Sequence, residues 1–405
     1  MCDTLCAPGP GGTVFAKNSD RPYGEVQLAV PFGRRATAGC TLRTQYLSIG
    51  DTGAHATFLS CPTWLWGAEH GVNEHGVAIG NEKVATVFDS AAAKPGLIGM
   101  DLVRLGLERA RTADEALDVM TDLLTTHGQG GIAIAADNEA YDSSFLIADP
   151  QHAFILDTCG PDFAAAPAPP TGAAISNRLT LTTDWARASD TVKPGDSFDD
   201  CFRDPDEDTA FADVRLAAHR SFLSAHQSGG LTAAATVAHL RDHGHGAWGA
   251  PGSDGLADPP PAKVGRDFAG VTVCMHVRSH AVTAASMVVV LPEHLAEGAP
   301  LRAFVALGSP CVSIYLPAFP STAAGPPPFI PFEVSRVELW QAADNVRARV
   351  EDDPDAIHAI RQILNPIEDE LWAEADDIAE RPHLWNQVGA SWGPRALEAL
   401  TSCAD

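Results

Sequence analysis

The feature that most constrains the fold is that the chain starts inside a β-hairpin. Cys2 to Ala7 alternates loosely, Pro8-Gly9-Pro10-Gly11-Gly12 is dense turn chemistry, and Thr13-Val14-Phe15-Ala16 resumes as a strand. Only Met1 precedes the first strand, so this end is tied into a sheet where termini generally fray. Antiparallel return then brings Lys17-Asn18-Ser19-Asp20-Arg21-Pro22 alongside residue 2.

Further strands are read at Gly76–Gly80, at Ser144–Ala148 and Ala153–Leu156 around the hairpin loop Asp149-Pro150-Gln151-His152, and at Val271–Cys274 and Ala285–Leu291. An apolar stripe predicts helix from Leu97 to Thr126, interrupted near Thr112, where Thr112-Ala113-Asp114-Glu115 opens a second helix and Gly128-Gln129-Gly130-Gly131 stops it. Helices are also expected over Phe211–His226 and Leu231–Asp242, and for most of the chain beyond Glu333. Pro161–Gly172, Trp248–Pro261 and Pro317–Pro331 read as irregular, and the last sets a soft boundary near residue 330. The pattern predicts an α+β protein with an antiparallel sheet covered by helices, residues 2–330 forming one domain and 331–405 a helical extension on or beside it.

The chain has 405 residues, with 27 Lys plus Arg against 52 Asp plus Glu, a net charge of -25. That balance repels phosphate backbones and anionic lipid, so no nucleic-acid or membrane partner is expected. The nine cysteines are odd in number and lack a CxxC pair, which argues against a disulfide framework or a zinc knuckle. With no secretory signal and no membrane-spanning run, the expectation is a cytoplasmic protein with free thiols. Oligomeric state is left open, a homo-oligomer included.

Cys2 directly follows the initiator methionine, and cysteine is small enough for that methionine to be trimmed. Trimming would leave one residue with a nucleophilic thiol and a free α-amine, titrating near about 8.5 and 7.7–8.0 respectively. The amine can then take the proton of its own thiol, as in N-terminal nucleophiles. Within the returning strand, Lys17 is placed to stabilise a thiolate or hold a substrate carboxylate, and Asp20 to orient the amine. Cys6 lies on the same strand face as Cys2 and reads as a small core residue.

The blocks Cys2-Asp3-Thr4-Leu5, Val14-Phe15-Ala16-Lys17-Asn18-Ser19-Asp20-Arg21-Pro22 and Glu25-Val26-Gln27 resemble the start of secernins and their relatives in the C69 dipeptidase family, within the N-terminal nucleophile (Ntn) hydrolases. Trp66 to Glu82, Gly99 to Leu105, Gly128 to Gly131, Ile175 to Leu179 and Thr283 to Val288 continue the resemblance in order, over most of residues 2–292. It implies a four-layer αββα Ntn sandwich with antiparallel sheets, its thiol on a strand edge. Penicillin V acylases and bile salt hydrolases are similar more distantly, and they carry Arg where Lys17 stands. By this comparison Asp20 is the acidic residue beside the amine, and Asn81 and Asn177 supply oxyanion-hole and amine contacts.

The expected function is therefore a cysteine-type dipeptidase that hydrolyses short peptide amides through an acyl-enzyme on Cys2. Cys2, Asp20, Asn81 and Asn177 are its catalytic candidates; Lys17, Asn18, Trp66 and His70 are its substrate-binding candidates. The substrate partner is a small peptide or an N-acyl amide. No cofactor or metal is called for. The competing readings are a non-catalytic secernin-like interaction protein, an acylase on N-acyl amides, and a metallohydrolase built on His239, His243 and His245. The blander reading of those histidines is an exposed helix end, and of Glu351-Asp352-Asp353-Pro354-Asp355 a solvated loop and N-cap. Trp64, Trp66, His70 and His75 can wall a cleft as a group, though each singly reads as core.

Overall fold

In a computed structural model of the chain, residues 1–36, 39–89, 94–227, 230–244, 271–277, 280–295, 300–323, 325–333, 335–353 and 356–404 are described. His245, the irregular stretch Trp248–Pro261, Pro354 and Asp355 lie outside them.

The hairpin forms as the sequence dictates. Strands Cys2–Gly9 and Gly12–Arg21 pair with Cys2 opposite Ser19, Thr4 opposite Lys17 and Gly9 opposite Gly12, closed by Pro10 and Gly11. Gly12 has φ +119°, and a Cβ there would lie 2.1 Å from Leu291 O, so this turn position admits only glycine. The hairpin sits centrally in a seven-stranded sheet ordered Ala173–Ile175, Cys2–Gly9, Gly12–Arg21, Ala281–Leu291, Arg302–Leu307 and Leu316–Ala318, with His276–Val277 paired on Ala281–Leu291. A second sheet of eight strands runs Arg187–Ala188, Asp162–Pro167, Ala153–Cys159, Asp142–Ala148, Ala78–Val84, His70–Asn73, Thr57–Pro62 and Gln27–Phe32. All pairings within both sheets are antiparallel.

Strand alternation sorts most of the apolar residues into three large clusters. Cys6 and Phe15 of the first sheet share one with Leu28, Phe58, Val72 and Leu146 of the second. The opposite face of the hairpin, with Leu5, Val14 and Ala16, packs on Leu216, Leu223, Val237 and Leu240 of helices Ala210–His226 and Ala233–Leu240. The other face of the second sheet, with Leu59, Ile79, Phe145 and Leu156, packs on helices Gly99–Arg109 and Ala113–His127. Each leucine so withdrawn from water contributes about 1.5–3 kcal/mol.

The second of those helices begins as expected: Thr112 Oγ1 accepts from Glu115 N at 3.1 Å, and Gly128 caps its end with φ +67°. Four helices, Arg336–Asp352, Ala356–Ile378, Pro382–Gly389 and Trp392–Ala404, form the tail. Trp340, Leu364, Leu371 and Trp392 join the cluster shared by both sheets, and Trp340 Nε1 donates to Ala284 O at 3.0 Å.

Several expectations need correction. Pro161–Gly172 contains the strand Asp162–Pro167, whose Phe163-Ala164-Ala165-Ala166 core pairs with Ile155–Thr158; its prolines only bound it. The Gly76–Gly80 strand starts at Ala78, because Gly76 turns with φ +79°, and runs to Val84, so Asn81 lies mid-strand. Val271–Cys274 is buried but bent, its Cys274 N donating to Asp242 O instead of a strand partner. Glu351 is a buried helix residue bonded to His276, not part of a solvated loop.

Candidate active site around Cys2

Cys2 is the first residue of its strand and only 4% exposed. Its backbone nitrogen donates to Asn177 Oδ1 at 2.7 Å. That oxygen also accepts from Arg215 Nη2 at 2.7 Å, while Asn177 Nδ2 donates to Lys83 O at 2.9 Å, so three bonds fix the amide. The Cys2 sulfur accepts from Asp20 N at 3.4 Å and lies 3.9 Å from Ser19 Oγ and 4.0 Å from Glu69 Oε2. Burial pushes this thiol above its ordinary range; Lys17 acts in the opposite direction.

Asp20 lies on the opposite strand face from the sulfur, toward the helices. Its Oδ1 accepts from Thr283 Oγ1 at 2.6 Å, and its Oδ2, which has no hydrogen-bond partner, is 3.6 Å from Arg215 Nη1. Thr283 reaches it because the pairing of Ala281–Leu291 with Gly12–Arg21 skips Ala284, a bulge that re-aims the side chain. Burial pushes the Asp20 carboxyl up to about 6, against the pull of the N-terminal ammonium and Arg215.

Arg215 is a residue that sequence reasoning missed. Fully buried on helix Ala210–His226, it donates to Asp3 Oδ2 at 2.6 Å, to Cys2 O at 3.3 Å and to Asn177 Oδ1. Burial opposes the charge of Asp3, but Arg215 and His219 outweigh it and hold that carboxyl well below the usual range. One guanidinium thus braces residue 2, its neighbour and the asparagine that holds its nitrogen.

The remaining candidates divide. Asn81 carries its amide against Glu69: with the amide nitrogen assigned to the side that faces acceptors only, it lies 2.8 Å from Glu69 O and 3.0 Å from Oε2, so it approaches the sulfur through that carboxylate. Glu69, also unforeseen, is anchored by Arg21 Nη1 at 2.8 Å. Lys17 is fully buried; its Nζ donates to Asn81 O at 2.6 Å and to Glu82 Oε1 at 3.0 Å. Asn18 faces the helices and donates to Leu240 O at 2.9 Å and Val273 O at 2.8 Å. His70 is buried with neither ring nitrogen hydrogen-bonded, and burial together with Lys17 holds it neutral. Trp66 packs against the Arg104 guanidinium, 4.3 Å from its ring centre.

A cavity of about 640 Å³ opens at this end of the hairpin, within the size range of small-molecule sites. Met1, Asp20, Arg21 and Asn177 line it, with Asp137, Glu139, Asp206, Glu207 and Asp208 around it; Lys17, Asn18, Asn81, Trp66 and His70 do not. Met1 lines this space and Cys2 itself does not; the Met1 nitrogen donates to Asp20 O at 3.2 Å.

Two groups among the described residues are arranged to hold a metal: His243, Cys274, His276 and Cys311, and His55, Glu74 and His75. Neither includes a cavity-lining residue. His239 does not join His243; its Nε2 meets His219 Nδ1 at 2.8 Å and its ring stacks on Phe222.

No family model matches the chain. Among solved structures, it is similar to a mutant conjugated bile acid hydrolase from Clostridium perfringens, with 11% identity over 75% of this chain and 88% of that one, and a TM-score of 0.43. It is also similar to penicillin V acylase from Agrobacterium tumefaciens (14% identity, 41% of this chain and 49% of that one, TM-score 0.30). A third is the Caenorhabditis elegans ortholog of N-acylethanolamine-hydrolyzing acid amidase, at 11% identity, 44% of this chain, 71% of that one and a TM-score of 0.28.

Proposed function

We propose that the chain is a cysteine-type Ntn amidohydrolase of secernin type, a dipeptidase that acts on short peptides once Met1 is removed. The carrying observation is the placement of residue 2: its nitrogen is held by Asn177 Oδ1 at 2.7 Å, and Asn177, Asp20 and Met1 beside it line the cavity. The sharing of one apolar cluster by the two sheets, with helices on the outer face of each, supports the αββα reading. It also supports residues 331–405 as an extension packed on a 2–330 domain.

In this reaction the free amine of Cys2 takes the thiol proton, and the thiolate attacks the scissile carbonyl carbon. Preorganised donors stabilise the developing oxyanion, a role the resemblance gives to the Asn81 amide, which must turn from Glu69 to serve it. The ammonium then protonates the leaving amine as the C–N bond breaks, and water hydrolyses the thioester to release acid and restore the thiol. Asn177 and Arg215 orient the nitrogen. Asp20 Oδ2, an acceptor without a hydrogen bond, is available to it in its charged form. The acidic rim of Asp137, Asp206, Glu207 and Asp208 suits a substrate carrying a free ammonium, which favours peptides over N-acyl lipids. Lys17 and Glu82 serve beneath the site as a buried pair.

The test is a panel of dipeptides and N-acyl amides assayed on Met-trimmed protein, followed by mass analysis of Cys2. Turnover of dipeptides with an acyl adduct on Cys2, lost in Cys2→Ala and largely lost in Cys2→Ser, supports the assignment. Hydrolysis that survives Cys2→Ala overturns it.

A further inference from the structure

Four soft or borderline ligands converge away from the Cys2 cavity. His243 follows helix Ala233–Leu240, Cys274 and His276 precede strand Ala281–Leu291, and Cys311 follows strand Arg302–Leu307. One ligand atom from each lies within 4.8 Å of every other. Cys274 Sγ and Cys311 Sγ are each 3.4 Å from His276 Nε2. In a tetrahedral site with Zn–S of about 2.3 Å and Zn–N of about 2.0–2.1 Å, sulfur and nitrogen ligands stand roughly 3.5 Å apart. The observed separations are those of ligands around a shared centre.

We propose that these four residues form a structural zinc site. Two thiolates and two neutral imidazoles sum with Zn²⁺ to zero charge, so the buried site carries no net charge into the interior. On binding, each thiol loses its proton to solvent as its Zn–S bond forms. The outer contacts fit as well: His276 Nδ1 meets Glu351 Oε1 at 3.2 Å, leaving Nε2 for the metal, and Glu351 is itself held by Arg347 Nη1 at 2.7 Å and Tyr23 Oη at 2.9 Å. A carboxylate behind a ligating histidine is the usual way its orientation and tautomer are fixed. Four protein ligands leave no open position, so the metal is structural, not catalytic.

The site also bears on Cys2. Met275, between two ligands, donates its N–H to Thr283 Oγ1 at 2.9 Å, and that hydroxyl donates to Asp20 Oδ1 at 2.6 Å. Zinc would pin helix end, strand and loop behind the wall that positions Asp20.

The test is metal analysis of protein purified without chelator, then cobalt(II) titration of metal-stripped protein. The expected result is one zinc per chain, and cobalt spectra with intense visible ligand-field bands and a near-ultraviolet thiolate-to-metal band. Cys274→Ser and Cys311→Ser should abolish the thiolate band or bind metal at least tenfold more weakly, whereas Cys201→Ser, at an exposed cysteine, should leave both signals unchanged. Should the serine variants not fold, the wild-type cobalt spectrum decides alone. Substoichiometric metal after zinc supplementation, a cobalt spectrum without thiolate character, or a Cys274–Cys311 disulfide in metal-free protein would overturn the proposal.

Discussion

The backbone nitrogen of Cys2 donates to the side-chain oxygen of Asn177, 175 residues further on, at 2.7 Å. In the proposed reaction an uncharged acceptor at that point matters, because the amine must lose a proton to act as base. Asn177→Ala should lower kcat/KM by about 100-fold, in the range of a misplaced general base. Asn177→Asp should do something different: a carboxylate stabilises the ammonium and raises its pKa, so the alkaline pH at which the amine becomes competent moves upward. pH–rate profiles of the two variants separate these outcomes.

Lys17 and Glu82 are a fully buried ion pair, Nζ to Oε1 at 3.0 Å. Removing one partner strands the other charge, so Lys17→Met or Glu82→Gln alone should cost about 3–5 kcal/mol. The double variant should recover much of that loss, since no lone charge remains. Urea denaturation of the four proteins gives the coupling energy.

Among the described residues Arg215 is the ion-pair partner that Asp3 and Asp20 share, and all three side chains are fully buried. Arg215→Gln should destabilise by about 3–5 kcal/mol and lower turnover of the protein that remains folded. Because the folded Asp3 carboxyl lies below its ordinary value, its contribution is present above the unfolded pKa and is lost as pH falls through the folded one. The variant should therefore differ most from the parent at neutral pH, and Tm measured from pH 7 to 3 should show the gap narrowing.

Asp20 titrates the other way. Burial raises its carboxyl to about 6, so its protonated form is favoured in the fold and stability from this group is lost as pH rises through about 6. Asp20→Asn should raise Tm at pH 8 and change it little at pH 4. If the ionised carboxylate holds the charged amine, kcat/KM of the parent falls below about pH 6, and Asp20→Asn loses both activity and that acid limb.

Some of this was legible in the sequence for local reasons. The hairpin, the Thr112 cap and the Gly128 stop are written in turn and cap residues within a few positions of one another. Strands Gln27–Phe32, Thr57–Pro62, His70–Asn73, Arg302–Leu307 and Leu316–Ala318 were not read, because most are buried on both faces or too short to alternate. Asn177 is named only through the resemblance, whereas Arg215 sits on an amphipathic helix where an arginine ordinarily marks the wet face. The convergence of His243 with Cys274, His276 and Cys311 depends on three separate segments, of which only Cys274-Met275-His276 is a short ligand spacing.

The most direct measurement is the intact mass and N-terminal peptide of protein that hydrolyses peptides. The account requires a chain that begins at Cys2 with an unblocked amine, and a transient acyl mass on that residue when substrate is present. Active protein in which Met1 is retained, or the residue 2 amine is acetylated, would contradict it.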